Sequence, residues 1–220
     1  MRLIHALVPI LVFSQASFSA CVKNDAFTLE VEPVYDTTTG KLRLLQYDSN
    51  RDGKIDTWSY MNGSQVVRIE VDRDGDGRVD QWQYYEGGQR VQKVGFSMRG
   101  DGKEDAWSYL GPDGTIARVE SSPRRDGTVS RIEHYENGAL TRAEEDTDGD
   151  GRVDRWETYQ ESRLLVVAFD TTHRGTPDRR IVYDADANGR VEVDLEGTGH
   201  FVSSLTVQNT AEASVVRKSP

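Results

Sequence analysis

The chain has 220 residues, with 27 basic and 37 acidic side chains and a formal net charge of −10. Such a surface argues against nucleic acid or an anionic membrane face as a partner, and it is compatible with cation binding. Hydrophobic residues make up 36% of the chain, too few for a large three-dimensional core. A thin repeat array needs less apolar material, because each unit only covers its neighbours.

Residues 1–20 read as an export signal. Arg2 gives a positive start, and Leu3 to Phe13 form an apolar run too short to span a bilayer. Small residues follow, ending in Phe18-Ser19-Ala20-Cys21. This resembles the bacterial lipoprotein signal, in which a small residue precedes the Cys that becomes the lipidated N-terminus. Phe18 departs from the Leu, Val or Ile usual at that place. Cys21 is the only cysteine, so it has no intrachain disulfide partner and stands where lipidation requires it. The resemblance implies an exported bacterial envelope protein, anchored to a membrane through Cys21. Val22 in place of Asp implies the outer membrane of a Gram-negative cell. Ordinary secretory cleavage after Ala20, leaving a free Cys21, is the alternative. Residues 21–25 then make a very short tether.

Residues 26–207 are a repeat domain. Anchor aspartates fall at Asp56, Asp80, Asp105, Asp154 and Asp178, with Ser130 in the remaining slot, at spacings of 24 or 25 residues. Trp58, Trp82, Trp107 and Trp156 each lie two residues after an anchor. Every unit has an Asp-rich loop, a short alternating aromatic segment such as 57–61 or 81–85, a turn, and a second alternating segment such as 66–72 or 164–170. Alternation with β-branched and aromatic residues argues strand. Asn62-Gly63 and Asn137-Gly138 are strong hairpin signals, since both central residues of a type I′ turn need positive φ. The expected fold is all-β: an elongated array of about six antiparallel β-hairpins linked by Asp-rich loops.

Segments 26–36 and 41–48 read as a half-unit that starts the array, and 201–207 as a last strand. Residues 208–220 read as a disordered tail. On the second strands, Arg68, Lys93, Arg118 and Arg142 occupy one equivalent position, with Glu70, Glu120 and Glu144 two residues later on the same face. Such charge ladders fix register and keep a face soluble.

The loop 146–157 matches the calcium pattern D-x-[DN]-x-[DN]-G-x5-E throughout. Asp146, Asp148, Asp150, the Arg152 carbonyl, Asp154 and a bidentate Glu157 would supply the hard oxygens that calcium takes six to eight at a time. Three further phrases carry most of the set. They are Asp48, Asn50, Asp52 and Asp56; Asp72, Asp74, Asp76 and Asp80; and Asp184, Asp186, Asn188 and Glu192. Their twelfth positions are Ser59, Gln83 and Leu195, all weak ligands. The resemblance is to the loops of EF-hands, dockerins and thrombospondin type 3 repeats. It covers the loops only, because no flanking helices are expected here. It implies calcium as the bound ion.

Three loops are degraded. Arg99 and Arg124 take the third ligand position of 97–105 and 122–130, and Arg174 the fifth of 170–178. A guanidinium among carboxylates is expected to hold such a loop shut without metal. Asp, Asn and Gly also form turns unaided, so the phrases have a second reading as punctuation between strands. Turns do not require converging carboxylates, however, and each adjacent pair repels by about 1 kcal/mol in water.

No catalytic motif appears, and His5, His134, His173 and His200 are scattered, so no enzyme is expected. The sequence points to a calcium-stabilised envelope lipoprotein acting as a structural or protein-interaction module. The alternative is a carbohydrate or cell-wall binding module, since the repeated Trp and Tyr positions are similar to those of choline- and glucan-binding repeats. Trp58, Trp82, Trp107 and Trp156 would then bind a polysaccharide. Exposed indoles favour that reading and buried ones the first.

Overall fold

The computed structural model describes residues 31–124, 128–194 and 196–207. The signal, Cys21, the tether, Leu195 and the tail 208–220 lie outside the described residues.

Alternating segments form strands because one face of each can then pack against its neighbours. The first seven strands are β1 (Val31–Tyr35), β2 (Leu42–Tyr47), β3 (Thr57–Asn62), β4 (Gln65–Val71), β5 (Gln81–Glu86), β6 (Arg90–Phe96) and β7 (Ala106–Leu110). The next four are β8 (Ile116–Ser121), β9 (Arg131–Glu136), β10 (Ala139–Glu145) and β11 (Arg155–Gln160). Finally come β12 (Arg163–Phe169), β13 (Arg179–Tyr183), β14 (Gly189–Val193) and β15 (Val202–Val207). They join in chain order into one open, wholly antiparallel sheet of 15 strands. The elongated hairpin array expected from the repeat is therefore present, and its hairpins pair edge to edge in a single sheet.

The tight turns lie at one end of the strands and the Asp-rich loops at the other. Asn137 and Gly138 both have positive φ, 52° and 78°, as a type I′ turn demands. At the first full hairpin the turn shifts by one residue. Asn62 ends β3, and Gly63 alone takes positive φ. Glu161 and Ser162 hold positive φ without any glycine. A register shift recurs just before the turns, between Tyr60 and Met61, Tyr84 and Tyr85, Tyr109 and Leu110, and Thr158 and Tyr159. Bulges of this kind bend a strand and increase its twist.

The two faces differ. The front carries Trp58, Glu70, Trp82 and Gly95 in one row and Tyr60, Arg68, Tyr84 and Lys93 in the next. Aromatic first strands thus alternate with charged second strands. Three of the ladder's cations lie over a tyrosine ring: Arg68 over Tyr60 at 4.5 Å, Lys93 over Tyr84 at 4.0 Å and Arg118 over Tyr109 at 4.3 Å. Arg68 also pairs with Glu70 at 2.7 Å, Arg118 with Glu120 at 3.0 Å and Arg142 with Glu144 at 2.6 Å. The expected ladder is there, with Tyr84 and Tyr109 between its first three cations and His134 between Arg118 and Arg142.

One rung is rebuilt from elsewhere. Gly95 stands where Glu70, Glu120 and Glu144 stand in their units, and a Cβ there would collide with the Glu104 carboxylate. Glu104 comes from the following loop, accepts from Tyr84 Oη and Trp107 Nε1, and pairs with Lys93 at 3.9 Å. The missing carboxylate is replaced in space by one nine residues on.

The back face carries no charged residue at its paired positions from β2 to β8. At β9 to β11 it becomes ionic. Arg131 binds Glu133 at 2.9 Å, Glu145 at 3.1 Å and Glu157 at 2.7 Å, and Arg155 joins Glu145 and Glu157. With one layer there is little core. Trp82, Ala106, Ala143 and Val167 are the buried hydrophobic residues among those described, and no large side chain is fully enclosed.

Candidate metal-binding loops

Six loops closed by the same main-chain hydrogen bond stand side by side along the sheet end, residues 125–127 of one of them lying outside the described residues. In each, the ninth residue closes the loop by donating its N–H to the carbonyl before the first. Asp80 does so to Val71 at 2.8 Å, Ser130 to Ser121 at 2.9 Å and Asp154 to Glu145 at 3.0 Å. The first residue of each loop then donates to the ninth of the preceding one: Asp72 to Asp56, Ser97 to Asp80, Ser122 to Asp105, Asp146 to Ser130 and Asp170 to Asp154, all at 2.7–2.9 Å. A continuous backbone rail therefore fixes the spacing of the loops.

Within a loop the first aspartate gathers N–H groups. Asp146 accepts from Gly149 at 2.5 Å and Gly151 at 3.0 Å, and Asp72 accepts from Gly75 and Gly77 at 2.8 Å each. Asp48 does the same with Arg51 and Gly53. Burial pushes the Asp146 carboxyl up. The two glycine N–H groups and the nearby Arg124 guanidinium more than offset it and hold the acid below its usual value. The ninth residue gathers the loop start in turn: Asp154 accepts from Thr147 N at 3.1 Å and Thr147 Oγ1 at 2.8 Å, and Asp56 accepts from Ser49 and Asn50. The first and ninth aspartates are thus structural anchors as well as candidate ligands.

Three carboxylates converge in two loops. Oxygens of Asp72, Asp74 and Asp80 lie within 4.8 Å of one another, and so do those of Asp146, Asp148 and Asp154. These are positions one, three and nine in both, so the two loops build the same acidic cluster, and such a cluster is able to hold a metal ion. In loop 48–56, Asn50 takes the place of the third carboxylate, between Asp48 and Asp56.

Other expected ligands lie elsewhere. Asp76 and Asp150, at position five, accept from Arg78 N and Arg152 N at 2.8 Å in local turns, outside the two clusters. Asp52 makes the same turn with Lys54 N at 2.9 Å. Arg152 gives its N–H to Asp150, and that bond does not engage its carbonyl, the expected ligand. Glu157 does not close the shell. It is the third residue of β11, 4% exposed on the back face, and its carboxylate is held by Arg131, Arg155 and Tyr159. Burial pushes its carboxyl pKa up, but the Arg131 and Tyr159 hydrogen bonds prevail and hold it below the usual glutamate value. A strand after the loop directs residue twelve across the sheet, where a helix would return it to the ion.

The phrase at 184–192 is not a loop of this row. Asp184 and Asn188 form the hairpin turn between β13 and β14, at the opposite end of the sheet, with Asn188 Nδ2 donating to Asp184 at 3.1 Å. Asp186 donates its N–H to Asp184 at 2.9 Å. Glu192 lies in β14 and pairs with Arg180 at 2.6 Å and Arg190 at 2.7 Å. The last place in the row belongs to Asp194, which the sequence reading missed. Its N–H donates to Asp178 at 2.9 Å, and its carboxylate accepts from Gly197 and Gly199. The first-position residues 48, 72, 97, 122, 146 and 170 would have found it, since a further step of 24 lands on 194.

The arginines of the degraded loops also behave differently from expectation. Each reaches forward into the next loop. Arg99 donates to the Pro123 carbonyl at 2.6 Å and Arg124 to the Asp146 carbonyl at 2.8 Å, while a Cβ at Gly197 would lie 2.8 Å from Arg174 Nη1. Arg174 keeps one tie at home, to Thr172 Oγ1 at 2.9 Å. In the other direction, His173 Nδ1 lies 3.5 Å from Asp148 Oδ2, and these two with Asp150 form a third, exposed group.

The indoles sit on the front face near the loops. Trp82 is buried at 8% exposure, and Trp58, Trp107 and Trp156 are half-buried.

Fold and loops together define a single-sheet β-hairpin repeat protein with stacked acidic loops. No protein-family model matches the chain, and no curated protein matches it either. Among solved structures it is similar to accessory secretory protein 1, 2 and 3 of Streptococcus pneumoniae, at 14% identity and a TM-score of 0.36. That likeness covers 52% of this chain and only 20% of the other, and carries neither fold nor function across.

Proposed function

We propose that the protein is a calcium-binding β-repeat module, exported and lipid-anchored through Cys21, that serves as a structural or protein-interaction scaffold of the bacterial envelope. The observation that carries the calcium reading is the convergence of carboxylates one, three and nine in loops 72–80 and 146–154. Carboxylate oxygens suit a hard cation, and three Asp side chains converging from one loop suit the variable geometry of calcium better than magnesium, which demands near-ideal octahedral geometry. Three carboxylates without a twelfth ligand belong with the weak, extracellular class of site, where dissociation constants are about 0.1–1 mM. Such affinities fit an exported protein. The buried and half-buried indoles support a packing role over a sugar platform, and the reading assigns no catalysis.

The test is a calcium titration by calorimetry. It should resolve two dominant sites, one lost on Asp74→Asn and the other on Asp148→Asn. Heat that survives both substitutions unchanged defeats the assignment. Anchoring is tested apart: Cys21→Ser should move the protein from the membrane to the soluble fraction, and equal solubility of both proteins leaves simple secretion.

A further inference from the structure

Arg124 stands outside loop 146–154 yet lies against it. Its Nη2 donates to the Asp146 carbonyl at 2.8 Å, and its Nη1 is 3.6 Å from Asp146 Oδ2. A Cβ at Gly149 would come within 2.6 Å of that same nitrogen, so glycine there makes room for the guanidinium. Asp146 is 7% exposed, so this positive charge neighbours a carboxylate that water scarcely reaches. Loop 72–80 builds the same cluster behind a different neighbour. The residue equivalent to Arg124 in the loop before it is Asn50, which is uncharged.

A divalent ion entering between Asp146, Asp148 and Asp154 meets a fixed guanidinium at one of its ligands, and like charges at such range repel. The guanidinium's hydrogen bond goes to the Asp146 carbonyl, and at 3.6 Å from Oδ2 it acts on the carboxylate through its charge, which makes Asp146 a poorer ligand for the ion. We propose that Arg124 is a built-in competitor for the cation of loop 146–154, so that this loop fills at higher calcium than loop 72–80 although its motif is the more complete. Filling displaces the arginine, and with it the side-chain tie between loops 122–130 and 146–154. The inference rests on the calcium reading above and adds to it the order in which the loops fill.

Calcium calorimetry on the whole mature chain tests it, with the component abolished by Asp148→Asn assigned to loop 146–154. Arg124→Gln should tighten that component roughly five- to tenfold and leave the component of loop 72–80 in place. Arg99→Gln, one loop upstream, should move neither. If Arg124→Gln loses the β-sheet circular dichroism spectrum, Arg124→Lys carries the test. It keeps the charge but lacks the planar fork, and should tighten binding about twofold. Unchanged or weaker binding in a folded Arg124 variant overturns the competition and leaves calcium binding standing. Absence of calcium binding at loop 146–154 in wild type and variant alike overturns both.

Discussion

Loops 122–130 and 146–154 are neighbours that share their closing hydrogen bonds and differ in the side chains at their first and ninth positions. Both close through the ninth N–H, and both join the rail, Ser122 to Asp105 and Asp146 to Ser130. Yet loop 122–130 has Ser122 and Ser130, 3% and 6% exposed, where its neighbour has Asp146 and Asp154. Loop closure and the place on the rail therefore do not depend on carboxylates at positions one and nine. Main-chain hydrogen bonds and the sheet behind them set both, and the side chains are left free to gather carboxylates in one unit and to tie loops together in the next. Arginines from both kinds of loop make such ties, Arg99 to Pro123, Arg124 to Asp146 and Arg78 to Gly100.

The strands behind these two loops share the Arg131–Glu157 network, and breaking it should give the largest effect. Glu157→Ala leaves Arg131 and Arg155 without their most buried partner and should cost about 3 kcal/mol in urea denaturation. A loss below about 1 kcal/mol would mean that the network is mere surface pairing.

Next comes a direct comparison of the first positions. Asp146→Ala orphans the N–H groups of Gly149 and Gly151 and should cost about 2 kcal/mol without calcium. Ser122→Ala removes one hydroxyl bond, to the Thr128 carbonyl, and should cost about 1 kcal/mol. Equal losses would contradict the anchoring role given to the aspartate.

Acid should sharpen the contrast further. Asp146 and Glu157 have pKa values held below 3.8 and 4.5, so the folded state binds fewer protons than the unfolded one. Their contribution is fully present above those ordinary values and is lost as pH falls through the depressed folded ones. Melting temperature should thus be level above about pH 5 and drop below about pH 4, and Asp146→Ala should flatten part of that drop. Smallest of all, Asp150→Asn removes an exposed carboxylate outside the cluster and should change stability by less than about 0.5 kcal/mol.

Much of this was legible in the sequence, for reasons that now have a geometry. The 24- or 25-residue period is two strands plus a turn and a loop, and period-two alternation gave each strand its faces. Converging ligands at positions one, three and nine follow from the tight turn that Gly75 or Gly149 allows at positive φ. The twelfth ligand was misread because the calcium motif presumes a helix behind the loop, whereas a strand sends Glu157 through to the back face. The phrase at 184–192 was misread because Asp, Asn and Gly serve a hairpin turn equally well. The forward reach of Arg99 and Arg124 leaves no trace in any single repeat. It depends on which loop the rail places alongside, as does the substitution of Glu104 for the carboxylate absent at Gly95.

Thermal melting of the mature protein in chelator and in about 1 mM calcium tests the central claim most directly. A site of about 0.1 mM affinity adds roughly 1.4 kcal/mol, or about 3–6 °C for a domain of this size. The account predicts a rise of that size for each filled loop, much less with magnesium, and a smaller calcium response in Asp74→Asn and in Asp148→Asn. A melting temperature identical in chelator and in calcium would contradict it, and would leave the aspartates as anchors of a metal-free turn.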